Sequence, residues 1–237
     1  MGVDYSEVFV DTRPHFLLLL LVQKWLKIES DLRKKGYRQV CGVDEAGRGP
    51  LAGPVVAAAV ILPKDFEDIG IDDSKRLTAN QREFLSEHII KHCFCYAVAS
   101  ASPEEIDQMN ILQATFVAMR KAIAQLASQP DYVLVDGNSM IAGIDIPQRP
   151  IVRGDQQVLS IACASILAKV CRDRMMLTYH RQFPEYGFDR HKGYPTKGHR
   201  KMIREHGTVE IHRKSFNLLG IQEELDLNSS KLPETSP

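Results

Sequence analysis

The 237-residue sequence has no excess of charge of either sign: 30 Lys and Arg stand against 30 Asp and Glu, and the pI is near 7.1. No global positive field therefore gathers a polyanion, and any nucleic-acid surface must be local. Long apolar runs are also missing. Phe16 to Val22 is the longest near the N-terminus and stops at Gln23-Lys24, well short of the ~18 residues a membrane span needs. Asp4, Glu7 and Asp11 precede it, where a secretory signal would be basic. Cysteine is sparse and odd in number (Cys41, Cys93, Cys95, Cys163, Cys171), with Cys93 and Cys95 too close for a zinc-knuckle pair. Reduced, buried thiols in a cytoplasmic protein with no membrane partner are expected.

What is present is ordinary for a globular chain: 44% hydrophobic and 25% charged residues, with 15 Gly and 12 Pro. That composition excludes disordered, collagenous and disulfide-scaffold classes, and the length suffices for one large domain. Residues 1–37 read as an N-terminal extension, helical in its charged part from Lys24 to Lys35. A compact α/β domain is expected over 38–217, with its part from about 173 to 217 helical and basic, and 218–237 as an acidic, disordered tail.

Within the domain, Gln39 to Val43 and Pro54 to Leu62 read as strands joined by a glycine-rich loop at Ala46 to Gly53. Thr78 and Gln81 have capping-box spacing ahead of a helix at 79–92. Phe94, Tyr96 and Val98 alternate as a third strand. Ser102-Pro103-Glu104-Glu105 opens one or two helices over 103–128. Tyr132 to Asp136 and Pro150 to Arg153 read as the fourth and fifth strands, and a long helix follows from about Val158 to His180. The class is α/β, a mixed five-stranded sheet flanked by helices. Between Arg190 and Lys214 eight Lys and Arg face two acids, a local +6, and the last twenty residues carry −3.

Four carboxylates occupy strand ends: Asp44 and Glu45 after the first strand, Asp136 closing the fourth, and Asp155 just past the fifth. Strand ends beside loops are where sites of mixed and parallel sheets assemble. Gathered carboxylates repel unless a hard cation such as Mg²⁺ neutralises them, and two such ions clamp an in-line phosphodiester displacement. Each acid also has a plainer reading: Asp136 as a turn, Asp155 as a helix cap, Asp44-Glu45 as a solvated strand end. Neighbours on a strand point to opposite faces, so Asp44 and Glu45 share a site only where the strand ends or bends.

The segment Gly42-Val43-Asp44-Glu45-Ala46-Gly47-Arg48-Gly49-Pro50-Leu51-Ala52-Gly53-Pro54 resembles the signature of type 2 ribonucleases H. Asp73-Ser74-Lys75, Ser102 to Ile106, Asn110 to Leu112, Val135 to Asn138 and Gly154-Asp155 follow in the family's order. Ala164 to Val170, Arg172-Asp173, His191 to Thr196 and His212 to Phe216 complete it. Over about residues 39–217 the chain is similar to bacterial ribonuclease HII.

The resemblance implies a ribonuclease H-like fold. It also implies a catalytic, metal-binding set of Asp44, Glu45, Asp136 and Asp155, with Asp136 as the ligand shared by two Mg²⁺ or Mn²⁺ ions. The implied activity is endonucleolytic cleavage of RNA in RNA–DNA hybrids and on the 5′ side of a ribonucleotide embedded in duplex DNA, in primer or ribonucleotide removal. The products would carry 5′-phosphate and 3′-hydroxyl ends. Gly47, Arg48 and Gly49 would read the 2′-hydroxyl at the minor groove, since glycines let backbone approach a sugar. Tyr194 would pack on the following sugar. Lys75, Lys169 and the basic stretch 190–214 would contact phosphates, and Asp173 would be a structural partner. A monomer is expected, with any replication-factor partner unknown. The competing readings are a ribonuclease HIII-like enzyme, a non-catalytic hybrid-binding module, and a resolvase or transposase on the same kind of fold. Against them stand the short extension, the complete acid set, and Gly47-Arg48-Gly49 together with Tyr194.

Overall fold

A computed structural model describes residues 27–220. The leucine run and the acidic tail from 221 onward lie outside the described residues. Of the extension, α1 (Lys27–Lys34) is seen, inside the expected helical stretch.

The sheet has the order β3-β2-β1-β4-β5. β1 (Val40–Ala46) and β2 (Val55–Ile61) form an antiparallel pair, and β3 (Cys95–Ala101) continues it antiparallel to β2. β4 (Tyr132–Asp136) lies parallel to β1, and β5 (Gln148–Ile151) parallel to β4. β2, with the sequence VVAAAVI, is buried at every position, as expected for a strand covered on both faces. Its alternation sorts the core. Val55, Ala57, Ala59 and Ile61 pack with Phe116, Met119 and Ile123 of α4 (Ile111–Ala124). Ala58 and Val60 pack with Ala162, Cys163 and Ile166 of α5 (Leu159–Gln182) and with Leu85 and Ile89 of α2 (Ala79–His92).

The local start signals hold. Thr78 caps α2 and Ser102 caps α3 (Pro103–Met109), each with the reciprocal glutamine or glutamate bond of a capping box. The region 103–128 holds two helices because Asn110, at φ 74°, breaks the helix and then caps α4 with its side-chain Oδ1, which accepts the N–H of Leu112 and Gln113. Two strands differ from expectation. β1 runs three residues further, to Ala46, because its ladder with β2 continues through Asp44↔Ala58, Glu45↔Ala57 and Ala46↔Val56. β5 starts and ends two residues earlier than Pro150–Arg153: its partners on β4 are Val133 to Asp136, and Arg153 has already turned left-handed at φ 55°.

Beyond α5 the chain forms α6 (Phe188–His191), α7 (Lys197–His206) and an irregular stretch rather than helix throughout. This lobe buries Tyr186, Phe188, Ile203 and Ile211 against Leu51 and Ala52 of the β1–β2 loop. An isolated bridge, Ala52↔His212, joins the two.

Candidate active site

The site begins where two parallel strands part. The β1–β4 ladder ends at Val43↔Val135, one residue before Asp44 and Asp136. On β1, Gly42 faces α5 so closely that a Cβ would lie 2.3 Å from the Ser160 carbonyl carbon. Alternation then sends Asp44 to the α5 face and Glu45 to the other. The strand does not end there, yet Asp44, Glu45 and Asp136 all line one cleft of ≈ 230 Å³, together with Lys75, Lys169 and Tyr194. The parting of β1 from β4 gives both faces access to it.

Asp155 stands in a 3-10 turn, Gly154–Gln156, and is 2% exposed. The turn is tied to β4: Asp136 Oδ1 accepts the N–H of Gly154 at 2.6 Å and of Asp155 at 3.4 Å. Lys75 reaches from the cleft to Asp155 Oδ2 at 3.2 Å. Asp73 links Lys75 to the turn, accepting the Lys75 backbone N–H and the Gln156 side-chain amide.

The electrostatics record crowded negative charge. Burial, then the carboxylates of Glu45 and Asp136, push the Asp44 carboxyl well above its ordinary range, against hydrogen bonds from Ser165 and the Glu45 N–H. Burial also raises Glu45, with Arg48 Nη1 at 3.4 Å opposing, and it raises Asp136 with the help of Asp155. Against the penalty of its own burial, Asp155 holds the Lys75 ammonium above its usual value.

Among the described residues no three His, Cys, Asp or Glu side chains form a ready-made metal cage. The donor set is nevertheless all carboxylate oxygen and short of counter-charge. That suits Mg²⁺ or Mn²⁺ held by one or two carboxylates, the rest of the shell being water and substrate phosphate.

The glycine loop and Tyr194, 140 or more residues apart in sequence, meet beside this cleft: a Cβ on Gly49 would lie 3.7 Å from the Tyr194 ring. Gly47 has φ 98° and is packed so tightly that a Cβ would fall 2.1 Å from Arg172 Nε. Only glycine fits there. Tyr194 is 43% exposed. Lys169 is less free than its role in phosphate contact implies, because Asp173 takes its ammonium at 2.6 Å and burial pushes its pKa down.

The basic stretch 190–214 is a weaker phosphate surface than its charge suggests. Arg200 donates to the carbonyls of Asn217 and Leu218, and Arg204 to Leu219. Arg213 is fully buried. Arg200, Arg204 and Lys192, which donates to the Asp189 carbonyl, thus serve the lobe's own backbone, and Arg213 serves that of the β1–β2 loop.

The sequence assigns no role to Arg172 or Glu29, and it places Arg213 with the phosphate-contacting stretch, whereas the structure buries it against backbone carbonyls. Arg172 left a signal: it continues the buried stripe Ser165, Ala168, Met176 at helical spacing. Arg213 stands inside the motif His212 to Phe216, but its partners, like those of Glu29, are far away in the chain.

The Ribonuclease HII family model matches residues 41–219. The chain belongs to the ribonuclease HII family. A Ribonuclease HII of Pelodictyon phaeoclathratiforme is 53% identical over 184 residues, covering 76% of this chain and 89% of that one. A Ribonuclease HII of Bacteroides thetaiotaomicron is 53% identical over 187 residues, covering 79% and 93%. Among solved structures, the ribonuclease H2 of Pyrococcus horikoshii superposes with a TM-score of 0.64 at 29% identity, covering 77% of this chain and 95% of that one. A Bst-RNase HIII in complex with Mn²⁺ shares the fold, with a TM-score of 0.62 at 17% identity over 76% of this chain and 68% of that one. The fold is therefore ribonuclease H-like, and the protein is a ribonuclease H, an endonucleolytic hydrolase acting on RNA–DNA hybrids. Among the described residues no helix is long and apolar enough to cross a membrane.

Proposed function

We propose that this ribonuclease H cuts the RNA strand of RNA–DNA hybrids and the 5′ side of single ribonucleotides embedded in duplex DNA, leaving 5′-phosphate and 3′-hydroxyl ends. The observation that carries the junction reading is the nearness of Gly49 to Tyr194 in a cleft lined also by Asp44, Glu45 and Asp136. Reading and cutting surfaces are continuous, so a ribose held on the loop presents its phosphate to the acids.

Asp44, Glu45, Asp136 and Asp155 would hold two Mg²⁺ or Mn²⁺ ions, with Asp136 shared. When bound, such ions stabilise the entering and departing oxygens of an in-line displacement. The protein's own share is positional. Asp136 fixes the Gly154–Gln156 turn and hence Asp155, and Lys75 offsets the acids' charge until the substrate phosphate arrives. Water adds to phosphorus, the bond to the upstream 3′-oxygen breaks, and that oxygen leaves as a hydroxyl. Gly47, Arg48 and Gly49 bring backbone to the 2′-hydroxyl, Tyr194 favours a deoxyribose on its 3′ side, and Lys75 and Lys169 position phosphates. The five cysteines are all free, which supports a reducing, cytoplasmic setting. We take the catalytic unit as 38–217 and as a monomer.

The test is a labelled DNA duplex containing one ribonucleotide, incubated with protein and Mg²⁺ or Mn²⁺ beside an all-DNA duplex. Cleavage confined to the 5′ side of the ribonucleotide is expected. Cleavage only of long hybrids would remove the junction reading. Binding without cleavage by folded protein under either metal would favour a hybrid-binding module.

A further inference from the structure

The loop that carries Gly47, Arg48 and Gly49 rests on two buried guanidiniums. Arg213 is 0% exposed and Arg172 1%, and neither has an ion-pair partner within 4 Å among the described residues. Every hydrogen bond they make goes to a backbone carbonyl. Arg213 donates to Gly47 at 2.6 Å, Arg48 at 3.0 Å and Gly53 at 2.9 Å. Arg172 donates to Pro54, Ala52 and Lys192, each at 3.0 Å. The Phe216 ring lies 5.1 Å from the Arg213 guanidinium carbon.

Buried charge without a carboxylate partner is costly, and only a dense set of acceptors makes it tolerable. What the arrangement achieves follows from peptide geometry. No peptide among the described residues is cis, and in a trans peptide the carbonyl and the next residue's N–H point in opposite directions. With the Gly47 and Arg48 carbonyls turned inward onto Arg213, the N–H groups of Arg48 and Gly49 turn outward. Both residues are exposed, and neither N–H donates to another described residue. Gly49 is also the loop residue beside the Tyr194 ring, which lies 3.7 Å from where a Cβ on it would stand. Arg172 extends the same frame to the Tyr194 side through the Lys192 carbonyl, two residues before the ring.

We propose that Arg213, seconded by Arg172, is a positioning residue for ribonucleotide recognition: it holds the loop so that it offers two adjacent backbone donors, Arg48 N–H and Gly49 N–H, to a sugar oxygen. The loop thus reads the 2′-hydroxyl as an acceptor, and its own carbonyls are withheld from the substrate. This rests on the reading of Gly47-Arg48-Gly49 as the 2′-hydroxyl contact and adds the group that creates it. A lysine at 213 keeps the charge but cannot bond three carbonyls in a plane.

The experiment measures binding in the Asp136→Asn background, so that cleavage does not intervene. Two matched duplexes are compared, one with a single ribonucleotide and one all DNA, and the readout is the ratio of their Kd values. Arg213→Lys and Arg172→Lys are each added, with folding checked by thermal melting. The Arg213→Lys protein should lose about tenfold of the ribonucleotide preference, the scale of one or two neutral hydrogen bonds, while all-DNA affinity stays within about twofold. A folded Arg213→Lys protein with the parent's ratio overturns the proposal. So does an equal loss on both duplexes, since a merely structural role predicts that. If Arg213→Lys does not fold, Arg172→Lys carries the same expectation with a smaller loss, and an unchanged ratio there overturns the proposal. A parent protein with no ribonucleotide preference points to failure of the junction reading itself.

Discussion

Asp136 and Gly154 are joined by a 2.6 Å hydrogen bond in which the carboxylate accepts the backbone N–H. The acid at the end of β4 therefore also fixes the turn that carries Asp155. Asp136→Asn separates these duties, since an amide oxygen can still accept from Gly154 while the charge is gone. Divalent-metal-dependent cleavage should fall by more than the roughly 10–100-fold typical of groups that merely support a metal ligand. Duplex affinity and melting temperature should stay near wild type. Substantial residual turnover in a steady-state assay would remove Asp136 from the ligand set.

Tyr194 stands beside Gly49 and, among the described residues, its side chain makes no hydrogen bond to an acid of the cleft, so its loss should affect recognition more than chemistry. Tyr194→Ala should lower kcat/KM for a single embedded ribonucleotide more than for a long RNA–DNA hybrid, where further ribonucleotides offer alternative registers. The two substrates assayed side by side decide the matter: equal losses would leave Tyr194 as packing.

Glu29 supplies a cap that α5 lacks. No side chain next to the start of α5 caps it, and instead Glu29 Oε1, from α1, accepts the Ser160 N–H at 3.1 Å and hydroxyl at 2.9 Å. Burial raises the Glu29 carboxyl, and its Oε2 has no hydrogen-bond partner among the described residues. Glu29→Ala should destabilise by about 1–2 kcal/mol, the range of a lost cap. That corresponds to a Tm lowered by roughly 2–8 °C for a chain of this size. Glu29→Gln, which keeps an acceptor, should lose less. Equal melting temperatures for all three proteins would show that α1 does not hold α5.

The sequence made elements legible wherever the deciding contact was local. The Thr78 and Ser102 capping boxes span three residues, and both helices start where those residues predict. β2 was legible because an unbroken apolar run leaves no face for water. β5 was misplaced by two residues because its ends are set by pairing with β4, more than ten residues back. The convergence of Asp44 and Glu45 on one cleft was not derivable, since it depends on where β1 parts from β4. The count of basic residues over 190–214 misled for a related reason. A guanidinium satisfied by carbonyls 160 or more residues away, as Arg213 is, looks in sequence like one facing solvent.

Beneath the Tyr194 segment, a chain of neutral histidines gives stability a pH dependence of definite sign. Val209 N–H donates to His212 Nδ1 at 2.9 Å, so the His212 proton sits on Nε2 and points at His199 Nε2, 3.1 Å away. His199 Nδ1–H then donates to the Tyr194 carbonyl at 3.0 Å. A second proton on His199 would sit on Nε2 and set two donors head to head. Burial accordingly pushes His199 down from 6.5 to about 4, with the charges of His191 and His212 contributing, and it lowers His212 as well. Between these values the unfolded chain binds the proton and the folded one does not. The stabilisation is thus complete above about pH 6.5 and is lost as pH falls toward 4. The raised carboxyls of Asp44, Glu45 and Asp136 act in the opposite sense, so the histidine contribution is read as a difference. In urea titrations, the stability gap between wild type and His199→Gln should be widest near pH 7 and narrow steadily toward pH 4.5. A gap that stays constant over that range would mean that His199 is not held neutral by the fold.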